Sequence, residues 1–123
     1  MPKIVLDERA ITIMSEAQEQ RTVVEYCDWK HIPIYHIPNG GRRDSREAAN
    51  LKRQGVKPGV PDLCLPIARG KYHGLYIEMK FRTGKPTDNQ LHWQELLTRN
   101  GYKSEICWGA EDAIDTIEQY LKL

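Results

Sequence analysis

Along residues 75–81 apolar and polar side chains alternate, with Leu75, Ile77, Met79 and Phe81 on one side and Tyr76, Glu78 and Lys80 on the other. That is the period of a β-strand, and it projects Glu78 and Lys80 from one face about 7 Å apart. Elsewhere the spacing changes. SEAQEQRTVVEYCDWK opens on Ser15, a good N-cap, with Gln18 three residues on to close a capping box, so a first helix is predicted over about 15 to 30. Ile32 to Ile37 form a short β-rich run stopped by Asn39, Gly40 and Gly41, and residues 44–54 carry helix-forming composition ended by Gly55. Strands are predicted over Asp62 to Ile67 and Gly74 to Phe81, joined as a hairpin. A third helix begins after Thr87 and stops at Asn100-Gly101, SEICW is a strand, and Ala113, Ile114, Ile117, Tyr120 and Leu121 mark an amphipathic closing helix. The order predicts an α/β fold, a four-stranded mixed sheet flanked by helices on both faces.

A chain of 123 residues with 40% hydrophobic and 28% charged residues reads as one ordinary globular domain over 1–123. No apolar run approaches the roughly 18 residues of a membrane span, and MPKIVLDERAITIM lacks a signal-peptide pattern, so a cytoplasmic protein without a membrane partner is expected. Cys27, Cys64 and Cys107 are odd in number, widely spaced and set in apolar stretches, which reads as small core residues. Trp29, Trp93 and Trp108 read as core or interface anchors, and His31, His73 and His92 as surface or packing residues.

The formal net charge of +1 conceals a segregation: residues 41–57 hold six basic and two acidic side chains, while 104–123 hold one basic and five acidic. Such a segment can meet phosphates locally, or serve as a solvated helix face. In-register hairpin pairing would bring Asp62 near Glu78. Two carboxylates at that range repel unless a cation lies between them, and an oxygen-preferring divalent ion, Mg²⁺ or Mn²⁺ rather than Zn²⁺, is the simplest one. Lys80, on the same face as Glu78, then has the reach to serve a water or to stabilise charge developing on a phosphate. The plain alternative is a strand-edge salt bridge of Glu78 with Lys80, and Asp62 capping a turn.

Five ordered blocks, SEAQEQ, HIPNGG, LKRQGVKPGVPDL, GLYIEMK and NQLHWQELLTRNGY, resemble the VRR-NUC domain of the PD-(D/E)xK nuclease superfamily in its standalone, phage-type form. The resemblance implies a restriction-endonuclease-like αβββαβ core and metal-dependent hydrolysis of DNA phosphodiesters. It implies metal ligation by Asp62, Glu78 and the main-chain carbonyl of Met79, with Lys80 as the catalytic lysine. It also implies an acid on the first helix, offered here by Glu16 and Glu19. Helical spacing favours Glu16, which shares a core-facing stripe with Gln20, Val23, Val24 and Cys27.

Gln90 matches the glutamine that follows the ExK strand in this family, and its amide can hydrogen-bond a phosphate oxygen or a water. His36 and Asn39 either touch a phosphate or satisfy a strand end and a turn. Arg42, Arg43, Arg46, Lys52, Arg53 and Lys57 are expected on the DNA backbone, tethered between HIPNGG and the Asp62 strand. One site of this size cuts one strand, so a homodimer that resolves a branched DNA, a four-way (Holliday) junction, is expected, as the resemblance to standalone VRR-NUC proteins also implies. In a phage-encoded protein the work would be done in the bacterial host cytoplasm. A catalytically silent nucleic-acid-binding member, a structural subunit of a processing complex, and a monomeric nicking or flap nuclease are the alternatives.

Overall fold

A computed structural model describes residues 8–38 and 45–123, with the side chains of 8–16 left aside. The elements run α1 (Glu8–Trp29), β1 (Tyr35–His36), α2 (Ser45–Arg53), β2 (Leu63–Leu65), β3 (Leu75–Lys80), α3 (Asp88–Arg99), β4 (Lys103–Trp108) and α4 (Gly109–Leu121). The predicted order is reproduced in full, as a four-stranded mixed sheet flanked by four helices. Strand order is β1-β2-β3-β4, antiparallel for the first two pairs and parallel for β3 with β4. A parallel pair needs a crossover, and α3 supplies it.

Several boundaries move for identifiable reasons. Ser15 lies inside α1 and not at its start, because ERAITIM before it contains neither Gly nor Pro and the helix extends back to Glu8. The box belongs instead to α3, where the Thr87 side chain accepts from the Gln90 N–H and the Gln90 side chain accepts from the Thr87 N–H. The run 32–37 shrinks to Tyr35–His36, since Pro33 and Pro38 cannot donate to a ladder on either side. Pro66 likewise ends β2 at Leu65.

α1 and α4 pack together against the sheet. Val23 and Cys27 from α1, Leu63, Leu65, Leu75, Ile77 and Cys107 from the strands, and Ala113, Ile117 and Tyr120 from α4 are all nearly or fully buried. Each large aliphatic among them contributes on the order of 1.5–3 kcal/mol by leaving water. The three cysteines are free and buried, as read from their surroundings. Tyr120 satisfies its hydroxyl by donating to the Ile67 carbonyl at 2.6 Å, and Tyr26 of α1 donates to Glu118 of α4.

The tryptophans depart from the core reading: Trp29 is 74% exposed and Trp108 44%, while Trp93 is half-buried. None of α2's residues is buried, so the basic segment forms an exposed helix over Ser45–Arg53. Among the described residues no helix is long and apolar enough to cross a membrane.

The glycine of GVPD has a packing reason. Gly59 adopts φ +89°, and a Cβ there would fall 2.5 Å from the carbonyl carbon of Asn89, in the first turn of α3. The loop that delivers Asp62 is thereby seated directly on α3. Gly59→Ala is expected to cost about 2 kcal/mol or more through backbone strain and overpacking, read as a lowered denaturant midpoint at unchanged m. An unaltered midpoint would show that the loop shifts freely.

Candidate active site

β2 and β3 pair Leu63 with Ile77, so the next step of the same register sets Asp62 opposite Glu78 at the end of the ladder. The sheet then fixes Asp62 from two sides. Its Oδ2 accepts the Met79 N–H at 2.8 Å, and its carbonyl accepts the Ile37 N–H at 2.8 Å. Glu78, on an interior strand, is only 6% exposed and is the one charged side chain buried among the described residues. The strand-edge salt bridge is therefore excluded: β3 is flanked on both sides, and among the described residues the ion pair found is Lys103 with Glu105.

Burial pushes the Glu78 carboxyl from its ordinary 4.5 up to about 9, reinforced by a hydrogen bond to Asp62 and by that neighbour's charge, with Lys80 opposing. Without a cation beside it, the Glu78 carboxyl keeps its proton through the neutral range.

These residues floor a cleft of about 270 Å³ lined by Glu19, Gln20, Asp62, Glu78, Met79, Lys80, Phe81 and Gln90. Strand β3 thus contributes Glu78, Met79 and Lys80 in sequence, and α3 presents Gln90 from its first turn. The Gln90 carbonyl oxygen is committed to the Thr87 N–H at 2.9 Å, which orients the side chain and leaves its NH₂ as the donor.

From α1 it is Glu19 and Gln20 that reach the cleft. A residue four before Val23 lies on the flank of the same buried stripe, and its carboxylate is held by the Ala110 N–H at the start of α4. Gly109 makes room for it, since a Cβ there would fall 2.7 Å from Glu19 Oε2. The side chain of Glu16 lies outside the described residues.

His36 touches the site from behind. Its Nδ1 lies 2.8 Å from the Asp62 carbonyl and 3.2 Å from the Gln20 amide nitrogen. A carbonyl oxygen only accepts, so Nδ1 is the donor to Asp62. His36 therefore steadies Asp62. Arg46, Lys52, Arg53 and Lys57 are exposed on and after α2, whereas Asn39, Arg42 and Arg43 lie outside the described residues. Phe81 and Glu19 are the lining residues that sequence reasoning missed or set aside. For Phe81 the signal was its place directly after Lys80, at the strand's end.

Among the described residues, no three His, Cys, Asp or Glu side chains are grouped as a metal cluster. The oxygen donors that the cleft brings together are the carboxyls of Asp62 and Glu78, both hard ligands. That chemistry fits a divalent ion of the Mg²⁺ class.

The VRR-NUC domain family model matches residues 7–111. A solved structure of a VRR_NUC domain protein is 36% identical, with a TM-score of 0.78 over 89% of this chain and 89% of that one. No curated protein matches the chain.

Because the Glu78 carboxyl is raised from 4.5 to about 9, the folded, metal-free protein holds more protons than the unfolded chain across that interval. Its stability should fall as pH rises from about 5 to 9 in chelator. Glu78→Gln, a neutral isostere, should flatten this slope in thermal melts recorded across the range. Parallel curves for the two proteins would remove Glu78 as the source.

Proposed function

Since this chain belongs to the VRR-NUC domain family, nucleases of the PD-(D/E)xK superfamily with a restriction-endonuclease-like fold, we propose that it is a Mg²⁺- or Mn²⁺-dependent endodeoxyribonuclease. The observation that carries the reading is the buried Glu78 set opposite Asp62 on the floor of a cleft that also holds Lys80. A structural carboxyl in that position would gain more as an amide or an aliphatic. Retaining two acids there makes sense for a site that takes up a cation.

Asp62, Glu78 and the Met79 carbonyl would hold the ion, with Glu19 as the acid that α1 turns toward the same cleft. The bound ion supplies charge neutralisation at the scissile phosphodiester and a more acidic water. The protein's own groups do the rest. Lys80 places an ammonium where negative charge grows on the phosphoryl oxygens and orients the attacking water. Gln90 donates its NH₂ to a phosphate oxygen. Arg46, Lys52, Arg53 and Lys57, together with Arg42 and Arg43, would neutralise flanking phosphates without reading sequence.

The finer reading is a homodimer acting on branched DNA, a four-way junction above all, in the cytoplasm. One cleft per chain cuts one strand, so paired cuts need two copies. Trp29 at 74% and Tyr35 at 50% exposure offer apolar surface for such a contact. Tyr120 is fully buried and takes no part in such a contact.

Cleavage should stop in EDTA and return with Mg²⁺ or Mn²⁺. Lys80→Ala should lower the rate about 10²–10⁴-fold while leaving DNA affinity within a few-fold. Cutting that persists in chelator, or at the normal rate without Lys80, would end this assignment.

Light scattering at micromolar protein, beside nick mapping on a four-way junction, is expected to give twice the chain mass and paired symmetrical cuts. A monomer that nicks linear duplex as readily would leave the chemistry and remove the junction reading.

A further inference from the structure

After Lys80 the chain does not simply leave the sheet. It makes a tight turn, Phe81-Arg82-Thr83-Gly84-Lys85, in which the Gly84 N–H donates to the Phe81 carbonyl at 3.0 Å. Trp108 fastens this turn from the neighbouring strand: its indole N–H donates to the Gly84 carbonyl at 2.8 Å. Trp108 is the register partner of Lys80 in the β3–β4 ladder, and its own N–H is held by Asp112 at 2.8 Å. The turn runs close to Lys80, for a Cβ at Gly84 would lie 3.8 Å from Lys80 Cδ and 3.1 Å from the Phe81 carbonyl.

Within this fastened turn Arg82 adopts φ +52°, one of two non-glycine residues with positive φ among the described residues. A left-handed arginine persists only where its surroundings over-determine it. The consequence is positional. The Arg82 guanidinium stands 5.2 Å from the centre of the Phe81 ring, and Phe81 is itself a wall of the cleft. Arg82 and Lys85 are both exposed, and neither forms an ion pair among the described residues. A solvated turn would need neither the strained arginine nor the tryptophan clasp.

We propose that the turn Phe81–Lys85 is a second nucleic-acid contact at the rim of the cleft, where Arg82 and Lys85 bind the backbone phosphates that flank the scissile one. This rests on the nuclease reading above and adds a contact outside the basic segment of residues 41–57. The short link from Lys80 to Arg82 ties the phosphate contact to the reacting centre, so the turn sets the register of the strand across the cleft. Trp108 is the positioning residue, acting through the Gly84 carbonyl.

The test is binding of the full-length protein to a short labelled duplex in EDTA, followed by anisotropy from about 50 to 200 mM salt. Arg82→Gln with Lys85→Gln is expected to weaken binding and to reduce the slope of log K against log salt by about 1 to 2, near 0.9 per lost phosphate contact. Arg99→Gln with Lys122→Gln removes the same charge elsewhere and should leave the slope unchanged. Trp108→Phe keeps an aromatic side chain and both cations but removes the indole N–H that holds the turn, and should weaken binding several-fold at a near-normal slope. An unchanged slope in the Arg82 and Lys85 double variant, an equal loss in the Arg99 and Lys122 control, or normal binding by Trp108→Phe overturns the inference. A wild-type protein that cleaves with metal while the double variant keeps its slope refutes the turn alone. One that loses slope on substitution yet cleaves nothing with Mg²⁺ or Mn²⁺ refutes the nuclease reading and leaves the turn as a nucleic-acid contact.

Discussion

Glu78 is an acid set into an interior strand, 6% exposed, beside a second acid. A lone buried charge is among the costliest things a fold can carry, so the group must be neutral or bound to a cation. The rest of the cleft follows from that constraint. Asp62 must be near enough to share what neutralises Glu78, yet too well held to swing away. The Met79 and Ile37 amides and the His36 ring meet that need, gripping Asp62 through both its carboxylate and its carbonyl.

Sheet geometry is the source of this precision. The Leu63 to Ile77 pairing sets the two acids opposite one another, and a one-residue slip would turn one of them to the other face. Side chains on helices adjust by rotamer, whereas those on paired strands inherit the ladder's spacing. The groups that need closest control therefore lie on or beside β2 and β3. Glu19, Gln20 and Gln90 come from helix ends and helix faces and surround the pair.

Much of this was legible in the sequence because strand alternation is a short-range signal. Leu75, Ile77 and Met79 declare which face Glu78 and Lys80 take, and the turn before Gly74 declares the hairpin. The element order followed from the same kind of evidence. Less legible was anything that depends on distant chain segments. Ser15 and Gln18 have the composition of a capping box but sit mid-helix, because only the preceding residues decide whether a helix has already begun. Helical spacing within α1 gives no sign that the Ala110 amide of α4 holds Glu19 from 91 positions away. Trp29 and Trp108 read by type as core or interface anchors, and only packing shows that they are exposed.

The hold of Ala110 on Glu19 makes α4 a working part of the cleft, although most of that helix faces the core. Its register is set further along by Ala113, Ile117 and Tyr120, each fully buried against the sheet and α1. A change of volume there would tilt the helix's first turn, and with it both the carboxylate of Glu19 and the Asp112 that holds Trp108. A screen scored only on lost activity would therefore return core positions of α4 that never approach a substrate. Such hits would trace how a cleft is aligned from its back side.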